Sequence, residues 1–174
     1  MRSAASSCPC LSDFAKDWPV EDFALNAAER KLLLALAQRG VRFVLVGMGA
    51  ALIEGAPVAT QDIDLWFEDA SDARIPLAAT DAGGFWISGF GMQPPSFGGV
   101  GLERIDVVLT VHGLDSFDAE FARTPEIEVD GLRLRVLPLE RILASKQFTR
   151  RAKDLAQIPA IEATLLARRN LRQK

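Results

Sequence analysis

A chain of 174 residues, of which 49% are hydrophobic and 25% charged, is typical of one globular domain with a core of its own. Its net charge of -3 excludes an overall basic face, so any contact with nucleic acid must be local. No apolar run approaches the roughly 18 residues of a membrane helix, and the N-terminal stretch lacks the apolar segment of a signal peptide, so we expect a cytoplasmic protein with no membrane partner.

The chain divides into a short lead-in and one domain. Residues 1–20 are polar and contain Ser and Pro, which predicts a flexible lead-in, and residues 21–174 form the single domain. Cys8 and Cys10 flank Pro9 in the lead-in, where two cysteines are too few for a metal site and too close for an unstrained disulfide. We therefore expect no metal or redox role for this pair.

Hydrophobic periodicity and Gly/Pro punctuation predict alternating helices and strands along the domain. The first predicted element is a helix that begins near 22–26 and stops at Gly40. The others, in chain order, are a strand over 41–46, a short helix over 49–54, a strand over 62–67, a helix over about 69–82, a strand and return loop within 83–101, a strand over 102–111, a hairpin over 126–137, and helices over about 138–148 and 151–171. Asp130-Gly131 indicates the hairpin turn, while Pro159 predicts a kink or break in the last helix. This order predicts an α/β or α+β fold with a mixed sheet and a helical C-terminal segment.

The segment 83–101 is rich in glycine and carries Phe85, Trp86, Phe90 and Phe97. One interpretation is a strand and loop that pack these rings on the sheet. The other is a flexible lip over a site, with a ring that stacks on a base. The sequence leaves both open.

Two carboxylates open the second predicted strand. Asp62 and Asp64 are two residues apart, so in a strand they share one face while Ile63 and Leu65 face the core. Like charges on one face repel unless a positive group lies between them. The pattern therefore indicates a metal site.

A glycine-bearing turn precedes that strand. Gly47-Met48-Gly49 follows an apolar run that ends at Val46, and the helix that comes next leaves backbone N–H groups free to bind phosphate.

Asp106 stands alone in a third apolar strand, where an unpaired carboxylate is costly. If that strand lies beside the second, three carboxylates meet near a phosphate-binding turn, as in a two-metal phosphoryl-transfer site. Such oxygen ligands favour Mg²⁺ or Mn²⁺.

The same turn raises the alternative of a dinucleotide-binding unit. The third small residue of that motif would fall at Leu52, and its acidic residue would lie at the end of the second strand rather than at its start. Both features disfavour this alternative.

Taken together, these motifs resemble a known family. Gly47, then Asp62-Ile63-Asp64, then the separate Asp106 resemble the nucleotidyltransferase superfamily that shares the palm of DNA polymerase β. More narrowly, VLVGMGAALIEGAPVATQDIDLWF, RIDVVLTVHG, VDGLRLRVLPLERILASK and RRAKDL look like bacterial nucleotidyltransferases related to the toxins of abortive-infection systems, over about residues 26–165. The resemblance implies a nucleotidyltransferase-type mixed sheet flanked by helices.

The resemblance also implies roles for individual residues. It makes Asp62, Asp64 and Asp106 the catalytic and metal-binding residues, and the third can assist deprotonation of the acceptor hydroxyl. Lys153 and Asp154 match a later Lys-Asp pair of the family. The implied nucleotide-binding residues are Gly47, Met48, Gly49, Thr60 and Lys146.

The implied function is Mg²⁺-dependent transfer of a nucleoside monophosphate from an NTP to a hydroxyl group on RNA, protein or a small molecule. A toxin-antitoxin role with an antitoxin-like protein partner belongs to the same expectation. The family usually has Gly or Ser where Met48 stands and often an arginine near Val58, so the alternative is a catalytically degenerate module that binds a nucleotide or a partner.

Two further features remain open. Arg150, Arg151 and Lys153 form a basic cluster that is either a solvated helix end or a contact surface for RNA or an acidic partner. His112 is the sole histidine and is interpreted as a loop residue, which largely excludes histidine-dependent triads.

Overall fold

Six helices and seven strands are described in the computed structural model, which covers residues 23–173. The predicted lead-in over 1–20, with Cys8 and Cys10, lies outside the described residues. The elements are α1 (Ala27–Gln38), β1 (Phe43–Val46), α2 (Gly47–Ile53), β2 (Ile63–Phe67), α3 (Arg74–Asp81), β3 (Phe85–Ile87), β4 (Ser96–Gly98), β5 (Ile105–Val108), α4 (Phe117–Arg123), β6 (Glu126–Val129), β7 (Leu132–Arg135), α5 (Leu139–Thr149) and α6 (Ala152–Arg172). The predicted mixed α/β organisation is confirmed.

The main sheet has three strands in the order β1-β2-β5. β1 runs antiparallel to β2, with Val46 opposite Asp64. β5 runs parallel to β2, with Asp64 opposite Asp106, so the sheet is mixed. The β6–β7 hairpin borders β1, where the Leu137 N–H donates to the Leu45 carbonyl at 2.9 Å.

The core lies against this sheet. All of β1 is buried, and β2 buries Ile63 and Leu65 as the alternation predicts. Trp66 is also buried and packs edge to face on Phe117, with ring centroids 5.1 Å apart. Within residues 23–173, no helix is both long and apolar enough to cross a membrane.

Local hydrogen bonds from side chains to the backbone explain where α1 and α3 begin. Asn26 accepts from the N–H groups of the first turn of α1, and Glu29 accepts from the Asn26 N–H in return. The helix predicted from residue 69 begins at Arg74 instead, because Asp69 and Asp72 accept hydrogen bonds from backbone N–H groups two residues later and form turns. Pro76 consequently lies in the first turn of α3, where proline is tolerated.

Other boundaries differ from the prediction in specific ways. α2 begins at Gly47 rather than at residue 49, so the turn is itself the first turn of the helix. β5 is shorter than predicted and ends at Val108. α6 continues through Pro159 as one helix, so the predicted break does not occur. The hairpin turn is confirmed, with positive φ at both Asp130 and Gly131.

The aromatic residues of the 83–101 segment divide between the two interpretations. Phe97 is buried, and its ring centroid lies 4.8 Å from that of Trp86, so these rings pack towards the sheet. Phe85 and Phe90 are 56% and 89% exposed. The β3–β4 pair therefore has one packed face and an exposed tip.

Candidate functional site

Asp64 and Asp106 are brought together by the pairing of β2 with β5. The two strands are parallel neighbours, and these two residues occupy the same position in the register. Neighbouring strands lie about 4.8 Å apart, and paired residues project to the same face. The two carboxylates thus lie side by side, although 42 residues separate them in the sequence.

The Gly47 turn reaches the same place through β1. Val46, the last residue of β1, pairs with Asp64, so the turn that follows lies against the Asp64 side chain. Gly47 has φ +67, and a Cβ at this position would lie 1.9 Å from Asp64 Oδ2. Glycine is therefore required both for the backbone conformation and for the close approach of the carboxylate.

Asp62 lies just before β2 and is exposed. Its N–H donates to the Thr60 hydroxyl at 3.2 Å, so Thr60 shapes the backbone before the strand. Among the described residues, the Thr60 side chain makes this one hydrogen bond, which lies within the chain.

The electrostatics of the three carboxylates are those of a negative cluster. Burial raises the pKa of Asp64 from 3.8 to about 6, and the charges of Asp106 and Asp62 act in the same direction. Burial and the charge of Asp62 also raise the pKa of Asp106. Lys153 opposes both shifts, so its ammonium lies within electrostatic reach of the cluster. A raised pKa makes Asp106 a better proton acceptor near neutral pH.

The donor set fits a hard divalent cation in its chemistry. Asp62, Asp64 and Asp106 supply carboxylate oxygens, which Mg²⁺ and Mn²⁺ prefer. The glycine that makes room beside Asp64 adds space at the same point. Among residues 23–173, no three His, Cys, Asp or Glu side chains form a ready-made ion site. Asp62, Asp64 and Asp106 are the side chains that could hold such an ion, but only if their carboxylates move from the positions described here.

Lys146 is buried between α5 and α6. Its Nζ donates to Asp154 Oδ1 at 3.2 Å and to Gln157 Oε1 at 2.7 Å. Asp154 is completely buried and also accepts from Thr149 Oγ1 and Arg151 Nε, both at 2.7 Å. The predicted nucleotide-binding lysine is thus held by an internal network.

The pKa shifts in this network follow from its contacts. Burial lowers the pKa of Lys146, while the hydrogen bond to Asp154 opposes that shift. Burial also disfavours the charged form of Asp154, but hydrogen bonds from Arg151, Thr149 and Lys146 hold its pKa well below its usual value. The charge of Lys146 also lowers the pKa of Asp64, so the ammonium lies within electrostatic reach of that carboxylate.

The other predicted turn residues face the interior. Met48 is 7% exposed and belongs to the core, so its side chain does not lie over the turn. Gly49 is buried, and a Cβ there would lie 3.1 Å from the Asp62 carbonyl. This packing is consistent with a small residue at position 49 and a large apolar one at position 48.

Sequence reasoning missed two residues that contact the site. Gln157 accepts a hydrogen bond from Lys146. A polar residue on a helix does not by itself indicate a site, so the sequence did not identify it. Arg104 donates to the carbonyl of Gln61, the residue before Asp62, at 2.7 Å. The sequence signal that could have identified Arg104 is its position two residues before Asp106.

The remaining candidates lie away from the carboxylates or on the surface. His112 is exposed in the loop after β5. Arg168, near the end of α6, pairs with Glu54 Oε2 at 2.8 Å, so this arginine anchors α6 to the end of α2. No protein-family model matches the sequence, and no curated protein shows a significant match to it.

Proposed function

We propose that this protein is a Mg²⁺-dependent nucleotidyltransferase that moves a nucleoside monophosphate from an NTP to a hydroxyl group on RNA, protein or a small molecule. The observation that carries the proposal is the register of the main sheet, in which Asp64 is paired with Asp106 in β5 and with the residue before Gly47 in β1. A carboxylate pair and a glycine turn at one point of a sheet suit the binding of a cation together with a phosphate.

Each residue then has a defined task. Asp62 and Asp64 bind the cation, and the backbone of the Gly47 turn binds phosphate oxygens. Asp106 accepts the proton of the acceptor hydroxyl. The hydroxyl oxygen bonds to the α-phosphorus of the NTP, and pyrophosphate leaves. Bound Mg²⁺ supplies charge neutralisation of the triphosphate and of the leaving group.

A nucleotide- or partner-binding module without catalysis is the second candidate. The observation that favours it is the position of Lys146, which donates to Asp154 and Gln157 and so has two of its three N–H groups engaged within the chain. A lysine committed in this way contributes charge to a bound triphosphate but few direct contacts.

Transfer of label from an NTP tests the first candidate. The protein is incubated with each of the four α-labelled NTPs and Mg²⁺, against total tRNA and against cell lysate, and the species that gain label are identified. The Asp106→Asn variant is the matched control, because it keeps the shape of the side chain and removes the proton acceptor. We expect label transfer by the wild type and none by the variant.

Thermal shift separates the two candidates. The enzyme and a nucleotide-binding module both predict that an NTP with Mg²⁺ raises the melting temperature, but only the enzyme transfers label. A shift without transfer in any mixture favours the nucleotide-binding module. The absence of a shift for all four NTPs contradicts the enzyme and the nucleotide-binding module and favours a module that binds only a partner.

The cellular setting follows from the same proposal. We place the protein in the cytoplasm, where NTP and Mg²⁺ are available, and as a component of a toxin-antitoxin type system with an antitoxin-like protein partner. Co-expression of a toxic wild type with neighbouring open reading frames, scored by restored growth, tests this assignment against the non-toxic Asp106→Asn control.

A further inference from the structure

Asp62 is placed outside the hydrogen-bonded ladder of the main sheet. The β1–β2 pairing begins at Asp64, and the β2–β5 pairing begins at Ile63. Strand pairing therefore positions Asp64 and Asp106 but leaves Asp62 to be held by other contacts. Since Asp62 is exposed, core packing does not hold it either.

Arg104 holds the residues on both sides of Asp62. Its backbone carbonyl accepts from the Ile63 N–H at 2.7 Å. Its side-chain Nε donates to the Gln61 carbonyl, also at 2.7 Å. One residue thus fixes the backbone before and after Asp62, and that residue lies two positions before Asp106 in the chain.

The Arg104 guanidinium is itself held from the interior. Glu29, in the first turn of α1, is completely buried, and its Oε2 accepts from the Asn26 N–H at 2.8 Å. Its Oε1 makes no hydrogen bond to any residue within 23–173 and lies 3.3 Å from Arg104 Nε. A buried carboxylate oxygen without a hydrogen bond is stabilised by a nearby cation, so Glu29 of α1 favours the arginine at this position.

We infer that Arg104 is a positioning residue, whose bonds to Gln61 and Ile63 hold the Asp62 carboxylate in register with Asp64 and Asp106. The inference rests on the proposed function, because it concerns the same cation site. The three carboxylates repel one another, and a fixed backbone at Asp62 limits the rearrangement that cation binding requires.

The test compares two side chains of equal length at position 104. Glutamine carries its amide nitrogen where arginine carries Nε, so it keeps the donor to the Gln61 carbonyl, whereas methionine lacks any donor there. Both are made in a Glu29→Gln background, so that no buried charge is left without a partner. The Glu29→Gln change retains the capping contact with Asn26, since glutamine also serves in a capping box.

Binding of Tb³⁺, a hard cation with oxygen ligands, is measured by luminescence sensitised by tryptophan, and Mn²⁺ is used as the competitor. Trp66 lies two residues after Asp64 on the same strand, which places an indole near the site. We expect Arg104→Met to weaken Tb³⁺ binding about tenfold relative to Arg104→Gln in the same background. Arg39→Met, which removes an exposed pair with Asp81, should leave Tb³⁺ binding unchanged.

Melting temperatures are recorded for every variant to separate affinity from stability. If the Met and Gln variants bind Tb³⁺ equally, Arg104 has a structural role only and the inference is overturned. If neither variant folds in the Glu29→Gln background, the same two substitutions are compared with native Glu29. They again differ only in the donor to the Gln61 carbonyl, so equal Tb³⁺ affinities there overturn the inference as well.

The Asp64→Asn variant distinguishes failure of the inference from failure of the proposed function. A wild type that binds Tb³⁺ no more tightly than Asp64→Asn overturns the cation site and the positioning role together. A wild type that binds more tightly than Asp64→Asn, with equal Met and Gln variants, overturns the positioning role alone.

Discussion

At the scale of single residues, Gly47 links the backbone to the carboxylates. Its positive φ and the approach of Asp64 Oδ2 make two separate demands on one position. Gly83 has a positive φ as well, +85, but a Cβ there would meet no atom within 4 Å. A comparison of substitutions at Gly47 and Gly83 therefore separates the cost of the left-handed backbone from the cost of the clash with Asp64.

We predict that Gly47→Ala destabilises the protein more than Gly83→Ala. Each alanine incurs the cost of a left-handed backbone, about 1–2 kcal/mol, but at position 47 the Asp64 side chain must also move. Urea denaturation gives both values. In an Asp64→Ala background the clashing oxygens are gone, so the difference between the two glycine variants should shrink. Equal losses at the two positions in the wild-type background would contradict the close contact.

Met48 provides a second test at this scale. Because it is 7% exposed within the core, we predict that Met48→Ser costs about 2–5 kcal/mol of stability and leaves NTP affinity unchanged in the folded protein. Met92→Ser is the control, since that side chain is fully exposed, and it should change neither property. Tighter NTP binding by Met48→Ser would show instead that residue size at the turn limits the approach of phosphate.

At the scale of helices and strands, the joint between α5 and α6 depends on one buried carboxylate. Asp154 accepts hydrogen bonds from Lys146 and Thr149, which lie in α5, and from Arg151, which lies just before α6. The helix boundary at Arg150, with φ 47, lets the chain turn back so that these groups meet. The joint therefore holds Lys146 where its charge acts on Asp64.

We predict that Asp154→Asn costs about 3–5 kcal/mol, because a buried ammonium loses its carboxylate. Lys146→Met should cost much less in the Asp154→Asn background than in the wild type, which a double-mutant cycle measures. Asp130→Asn, which breaks the exposed pair with Arg30, is the control and should cost under about 1 kcal/mol. An additive cycle at 146 and 154 would argue against the buried pair.

The same joint makes the protein sensitive to acid. Because the pKa of Asp154 is lower in the folded chain than its usual value of 3.8, its stabilising contribution is complete above that pH and is lost as the pH falls below it. The wild type should therefore lose stability below about pH 4 more steeply than Asp154→Asn.

At the scale of the whole molecule, we expect the carboxylate cluster to lower the stability of the folded chain at neutral pH when no cation is bound. Burial raises the pKa of Asp64 to about 6, so the folded chain binds this proton more tightly than the unfolded chain. The stability from this group is complete below pH 3.8 and is lost as the pH rises to about 6. A pKa shift of this size corresponds to an expected loss of about 3 kcal/mol at neutral pH.

We predict that Asp64→Asn is more stable than the wild type in EDTA at neutral pH, and that this advantage disappears near about pH 4. Urea denaturation at several pH values measures the difference. Mg²⁺ at a hundredfold excess over its dissociation constant should stabilise the wild type by about 2.7 kcal/mol and the variant hardly at all. A less stable Asp64→Asn in EDTA, with no Mg²⁺ response in the wild type, would contradict the cation site.

Local patterns were enough to predict most elements of this fold. The strand alternation around Ile63 and Leu65, the Asp130-Gly131 turn and the helix stop at Gly40 act through contacts within a few residues, so they are visible in the sequence. Boundaries were less predictable where side chains compete with the helix, as Asp69 and Asp72 do before α3.

The candidates for the site are visible in the sequence alone: a glycine turn, a carboxylate pair and a lone strand aspartate. The folded chain shows in addition that β5 lies parallel to β2 with Asp106 opposite Asp64, that Lys146 is paired internally, and that Met48 belongs to the core. These outcomes depend on pairing and burial between segments far apart in the chain. An alternating strand can pair with several others, and a lysine on a helix is buried or solvated according to what packs against it, so neither is encoded in the local pattern.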